Sequence, residues 1–350
     1  MPQTDLVLQQ FADQAKACDQ LGSPFTARLC RILATRLDTR TRFGRQILEW
    51  EGDPYADNVA LRACGALHAL ARSGWEPNVG AVYPPATAND HAIWIAIADA
   101  LGHNDLFLTE RLSLAPQTNE VARSAIILGG MLHIANITRL PLELFEIGAS
   151  AGLNLGFDAY RYDLGADRHW GRASAPLTIA SEWKGRAPPL DAPLSVTARH
   201  GCDLHPIDPD SAEDRARLLS YVWADQTQRL ARLEAALLIA AAAQRKIDRA
   251  DAADWVSTYL SARPRPGTTR VLFHTIVWQY LPLASRSQIE DALATAGAAA
   301  TRDTPLARLA FEADDVPGSG RVELTLWPSA KKVTLGRADF HGRWADWGHH

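Results

Sequence analysis

Leu144-Phe145-Glu146-Ile147-Gly148-Ala149-Ser150-Ala151-Gly152-Leu153-Asn154-Leu155 decides the fold of this chain, because an apolar run passes there into a glycine-rich turn and then into helix-forming residues. Two chemistries use such a turn. Read as Gly-x-Ser-x-Gly it is a nucleophile elbow presenting Ser150 for attack. Read as acid-x-Gly-x-x-x-Gly it is the cofactor loop of a nucleotide-binding α/β fold.

The residues around the turn separate the two. A serine hydrolase needs an acid and a histidine downstream of Ser150, and Asp203 followed by His274 or His341 meets that order. An elbow normally sits deep in its sheet, however, and here a long, mainly helical region comes first, with no His-Gly-Gly segment to build an oxyanion hole. A small hydroxyl in such a turn more often caps the following helix than attacks a substrate. The cofactor reading makes Leu142 to Ile147 the first strand of a sheet, with small residues letting the turn's backbone approach a ligand. Glu146 then has a purpose: a carboxylate among apolar neighbours is costly unless it holds a cation, a donor group or the turn's own amides.

Working outward, residues 5 to about 136 repeat their apolar positions at helical spacing, as in Leu61, Leu67 and Leu70, or Ile93, Ile97 and Leu101. Thr118 to Ile134 reads as one helix capped by Thr118, with Asn119 and Arg123 on one face and Glu120 beside Arg123. The loop at Tyr83-Pro84-Pro85 interrupts the helices before Asn89 or Asp90 caps the next one. After Pro141 the pattern changes to seven β-type runs: Leu142–Ile147, Leu177–Ala180, Leu194–Ala198, Arg270–Val277, Leu306–Phe311, Val322–Leu326 and Lys332–Leu335. Helical stretches at Ser211–Asp248 and Ser285–Ala299 separate some of them, which predicts an α/β sheet with crossover helices. The linker between the last two runs is too short for a parallel crossover and predicts an antiparallel hairpin. Residues 158–193, dense in Gly, Pro and charge, read as an irregular insertion with one strand. The expected division is a helical cap region over 1–140 and an α/β domain over 141–350.

The 350 residues, 47% hydrophobic and 22% charged, can bury a full core. A formal charge of -4 supplies no field for polyanions, so a small-molecule substrate is the expected partner rather than nucleic acid. Cys18, Cys30, Cys64 and Cys202 lack metal-ligand spacing and read as reduced thiols of a cytoplasmic protein with no metal. Apolar stretches such as Ala235–Ala243 are shorter than a membrane span, and His349-His350 reads as a solvated tail.

The motif Leu144-Phe145-Glu146-Ile147-Gly148-Ala149-Ser150-Ala151-Gly152 resembles the first motif of the class I S-adenosylmethionine-dependent methyltransferases, with Ser150 in place of the middle glycine. The resemblance implies an α/β, methyltransferase-like Rossmann sheet of seven strands with a C-terminal antiparallel hairpin, preceded by the α-helical region. It implies S-adenosylmethionine as cofactor, with Gly148, Ala149, Ser150, Gly152 and Asn154 along its methionine and ribose part and Glu146 facing its amino group. Glu182 would bind the ribose hydroxyls, Asp203 would receive the adenine amine, and His274 would stand where the reacting groups gather. A closer, full-length resemblance is to a bacterial family of unknown function, number 2332. It is carried by Tyr83-Pro84-Pro85, Thr118-Asn119-Glu120 with Arg123, Glu146 to Asn154, Gly201-Cys202-Asp203-Leu204, Val222-Trp223 and His341-Gly342-Arg343-Trp344.

The resulting expectation is methyl transfer to a small polar acceptor, with His274 or Tyr83 as the polarising or deprotonating group and Asn119, Arg123 and His341 on the substrate. The alternatives are a serine hydrolase built on Ser150 and a non-catalytic ligand-binding protein of the same fold.

Overall fold

The computed structural model describes residues 3–348, so His349 and His350 lie outside the described residues. Helices α1 (Gln3–Gln20), α2 (Pro24–Arg36), α3 (Arg42–Leu48), α4 (Val59–Ser73), α5 (Pro77–Val82), α6 (Asp90–His103) and α7 (Asp105–Ser113) come first. Helix α8 (Ser124–Thr138) leads into β1 (Leu142–Ile147), and the short strands β2 (Arg161–Asp163), β3 (His169–Trp170), β4 (Thr178–Ala180) and β5 (Glu182–Gly185) follow. Next are β6 (Val196–Asp203), α9 (Ala212–Ser220), α10 (Thr227–Ala242), β7 (Asp248–Arg249), α11 (Ala252–Ser261) and β8 (Thr269–Thr275). The chain closes with α12 (Leu283–Ala298), β9 (Leu306–Ala313), β10 (Gly320–Trp327), β11 (Lys331–Ala338) and β12 (Trp344–Trp347).

Two compact units result: residues 1–118 with 211–234, and residues 119–210 with 235–350. Helix α8 belongs with the sheet, and the segment 211–234 returns to the helices.

In the helical unit, apolar residues repeating at helical spacing bury Phe11, Leu29, Leu33, Phe43, Leu67 and Leu70 in one core. The returning segment is tied in by polar groups. Asp225 accepts from the Phe25 amide (2.8 Å) and from the Ser23 hydroxyl, so a carboxylate two hundred residues away serves the N-terminus of α2. His68 Nδ1 meets the Ser220 carbonyl at 3.1 Å, the Tyr221 hydroxyl donates to the Leu114 carbonyl, and Gly65 leaves room for the Tyr221 ring.

The second unit is a mixed α/β structure around a large, mostly parallel sheet of nine strands, ordered β5-β12-β11-β10-β9-β8-β1-β6-β7. The seven-strand expectation is therefore corrected. Six of the expected runs enter this sheet, while β4 joins β2 and β3 in a separate three-stranded sheet within the segment read as irregular. The strands missed are β2, β3, β5, β7 and β12, each two to four residues long. The parallel half runs β7-β6-β1-β8-β9, and β10 and β11 form the expected antiparallel hairpin with Leu326 opposite Lys331.

Strand alternation sends Phe145 and Ile147 of β1 into an apolar layer with α11 and α12, and sends Leu144 and Glu146 to the opposite face. Helix α8 is apolar on all sides and buries Ile126, Leu128, Met131, Leu132 and Ile134, each contributing about 1.5–3 kcal/mol. It approaches closely through Gly129 and Gly130, where a Cβ would strike Trp183 at 2.4 Å and Leu309 at 2.4 Å. Val121–Thr138 is long and apolar enough to cross a membrane, yet 72% of that window is buried in the protein, as befits a core helix.

Candidate functional site

Within the parallel half, the chain leaves β1 for β6 and β7 on one side and returns to β8 and β9 on the other, so the strand order reverses at β1. Open α/β sheets bind ligands outside the carboxyl ends of the strands at such a reversal. The turn after β1, Gly148 to Asn154, stands at that point, together with Asp203 ending β6 and Thr275 ending β8.

Two residues there have left-handed backbones without being glycine: Ser150 (φ 53°) and Ile276 (φ 53°). For a β-branched residue this is a conformational outlier, and such strain persists where surrounding contacts impose it. Ile276 is held by its amide to Phe311 O, and the next two amides, of Val277 and Trp278, donate to the Glu312 carboxylate.

The turn after β1 is held as firmly. Asn119 Oδ1 accepts from the amides of Ala151 and Leu153, both at 3.2 Å, and Asp203 Oδ2 accepts from Ser150 N at 2.9 Å. Ala149 N donates to Cys202 O, and Gly152 N to Ala149 O. The turn's amides are thus largely engaged by the protein itself and form no open cradle for a phosphate. Its glycines serve packing as well as conformation: Gly148 (φ 67°) and Gly152 (φ 66°) would each drive a Cβ into a side chain, Val277 at 2.5 Å and Ile247 at 2.7 Å.

Glu146 is 2% exposed, and its Oε2 is buried with no hydrogen-bond partner. Burial pushes its carboxyl well above the usual carboxylate range and the charge of Asp203 adds to this, while Arg245 and Arg123 pull the other way. Ser150 Oγ and Asn154 Oδ1 are likewise buried without partners. Three polar atoms around one turn are thus buried without a protein partner, which makes this turn the candidate site.

The remaining expected residues divide. Asn119, Arg123 and His341 belong to this neighbourhood. Arg123 donates from Nη1 to Thr275 O at 3.2 Å and from Nε to Phe340 O at 2.8 Å, linking the end of β8 to the C-terminal segment. His341 Nδ1 lies 3.6 Å from Glu120 Oε2, and Asp339 shapes its turn by accepting from the amides of His341 and Arg343. The single helix expected from Thr118 is corrected: Asn119 lies outside any helix, Glu120 is extended, a short 3-10 turn covers Val121–Arg123, and α8 starts at Ser124. Asn119 leaves the helix because its side chain is spent on the glycine turn.

Glu182 is not brought to the site. It is exposed on β5, six places from β1 at the far edge of the sheet. Asp203 does border the turn, with both oxygens accepting backbone amides, from Ser150 and His205. His274 is 1% exposed and both ring nitrogens are occupied: Nδ1 pairs with Glu312 at 2.6 Å and Nε2 faces Arg308 Nε at 3.2 Å. An arginine only donates, so Nε2 accepts and Nδ1 carries the proton; burial holds this histidine's pKa down. No ring nitrogen remains to serve as a base. Tyr83 lies in the core of the helical unit, packed against Phe25 and His68, its buried hydroxyl pushed well above the usual phenol range by burial.

Sequence reading passed over Arg199 and Arg245. Arg199 donates to Leu155 O at 2.9 Å and pairs with Asp158 at 2.5 Å, and the Arg245 guanidinium lies against Gly156. With Arg172 they border a cavity of about 430 Å³ beside the segment that continues the glycine turn. Arg245 follows an alanine-rich helix end and looks like a solvated charge, so nothing local marks it.

A mostly parallel sheet whose strand order reverses at a glycine turn, with a buried carboxyl in front of that turn, defines a mixed α/β protein whose candidate site lies at its strand ends. Over residues 8–347 the chain matches the family described as "Uncharacterized protein conserved in bacteria (DUF2332)", and it belongs to that family. No curated protein and no solved structure matches the chain.

Proposed function

We propose that the turn Gly148–Asn154 binds S-adenosylmethionine and that the protein transfers its methyl group to a small polar acceptor. The observation that carries this reading is the unpartnered Oε2 of Glu146, a buried carboxylate oxygen that an incoming ammonium group would satisfy. Ser150 and Asn154 offer further buried polar atoms to the same ligand. The amides already taken by Asn119 and Asp203 favour a cationic or neutral group over a phosphate at this point.

The cofactor would supply an activated methyl group. The protein would contribute position and protonation control. Glu146 orients the amino end, Asn119 and Asp203 keep the turn rigid, and Arg123 and His341 stand where a polar acceptor would meet them. His341 is the group available to take an acceptor's proton, since its Nδ1 has no hydrogen-bond partner and Glu120 lies beside it. His274, with both nitrogens committed, serves instead to fix the turn after β8.

Calorimetry with S-adenosylmethionine and its demethylated product tests the binding. Saturable binding that Glu146→Gln weakens at least about tenfold supports it, and no binding at millimolar ligand overturns it. One observation favours a second reading: Ser150 has the strained backbone of a nucleophile elbow and an unpaired Oγ. A fluorophosphonate that labels wild type but not Ser150→Ala would replace methyl transfer with acyl chemistry.

A further inference from the structure

The face of the sheet opposite Glu146 carries a feature unrelated to the glycine turn. Between α11 and α12 runs a groove of about 880 Å³, its walls formed by Leu260, Pro264, Ala284, Ala292 and Thr295, with Arg270 among its lining residues. Small side chains along α12 open the groove but would not by themselves make a site.

Arg270 changes its character. It sits on β8 opposite Glu143 of β1 and is only 4% exposed. Its Nη1 donates to the carbonyls of Leu260 (3.1 Å) and Ala262 (3.3 Å) at the end of α11, a contact that suits the negative pole of a helix. Its Nε is buried without any partner. Among the described residues no carboxylate pairs with it, and Glu143, the acid across the strand, is engaged with His200 at 3.3 Å. Burial draws its pKa down, with Glu143 opposing. A buried guanidinium left without an anion is expensive, and breaking such a site's pairing costs far more than a surface ion pair returns. The helix end accounts for one nitrogen of the three.

We propose that this groove binds an amphipathic monocarboxylate, with the carboxylate on Arg270 and the apolar body lying between α11 and α12. Charge complementarity selects the head group, since a guanidinium presents its donors to a carboxylate in a fixed planar fork. Arg263 at the same groove adds positive charge, against the single acid Asp291. The apolar wall selects the tail, and a groove of this size falls in the range of small-molecule sites.

The test titrates the full chain with dodecanoate below its micelle concentration, with dodecanol and dodecyltrimethylammonium as head-group controls. The expected result is saturable binding of dodecanoate, at least about tenfold weaker binding of the alcohol, and none of the ammonium compound. Thr295→Trp, at an exposed wall position on α12, narrows the groove while leaving the Arg270 side chain unchanged and should reduce dodecanoate affinity at least about tenfold, as should Arg270→Met. If Arg270→Met fails to fold because α11 loses its terminal contact, the head-group series and Thr295→Trp decide the question. Equal binding of carboxylate and alcohol, indifference to Thr295→Trp, or no binding up to the solubility limit would each overturn the proposal.

Discussion

At Glu146 a single side chain couples the site to pH. The folded chain keeps this proton to a higher pH than the unfolded chain does, because burial and Asp203 raise its pKa. Between the ordinary carboxylate value and the raised one, the folded state therefore binds more protons, and stability falls as pH rises, by at most about 1.4 kcal/mol per pH unit for one group. Glu146→Gln lacks this slope. Denaturant midpoints from about pH 5 to 8 should show wild type losing ground to the variant as pH rises, and parallel curves would contradict the assignment. A ligand ammonium would hold Glu146 ionised, so binding should release a proton and tighten with pH over the same interval; calorimetry in buffers of different ionisation enthalpy measures that release. Glu146 was legible in the sequence because an acid inside an apolar run needs a reason. His274 was not, because its fate depends on Glu312 and Arg308, partners on β9 that no local pattern links to it.

The glycine turn acts as an element braced from outside. Asn119→Ala removes the acceptor of two buried amides and should cost about 2 kcal/mol or more, read as a shift in denaturant midpoint. Gly152→Ala strains a left-handed backbone and pushes a methyl into Ile247. It should cost about 1–2 kcal/mol or more from the backbone alone. Adding Ile247→Ala should recover the packing share and leave the backbone share, a non-additivity that a double-mutant cycle resolves. The long strands could be read ahead of the structure: β1, β8 and β9 carry apolar runs, and β10 and β11 alternate apolar with polar residues, as Val322-Glu323-Leu324-Thr325-Leu326 and Val333-Thr334-Leu335 do. Strands β5, β7 and β12 could not, because they are short and their pairing depends on distant neighbours. β12 pairs in parallel with β5 through Trp344 opposite Glu182, a contact that spans 162 residues of chain and leaves no periodic trace. The same limit misplaced Glu182, whose position after a short β run suggested a strand next to β1.

At the scale of the whole molecule, the chain passes between its two units at 118/119, 210/211 and 234/235. Composition gave no warning of this, since 211–234 reads like any other helical stretch. Asp225 measures how much the returning segment matters. Asp225→Ala strips the Phe25 amide and the Ser23 hydroxyl of their acceptor and should destabilise the helical unit by about 1–3 kcal/mol, seen as earlier loss of helical signal on denaturation. The crossing also sets a timetable for synthesis. When residue 118 leaves the ribosome, the α1–α7 core still lacks Ala224, Tyr221 and Asp225, and translation at typical rates needs about 5–21 s to deliver them. The sheet waits longer still, because β5 finds its neighbour only when β12 has been made, with Trp344 pairing opposite Glu182. A nascent chain of this protein therefore carries two unfinished cores from β1 until Asp225 has been made, and slowing translation over that stretch should raise its dependence on chaperones more than for a chain whose domains close in sequence order.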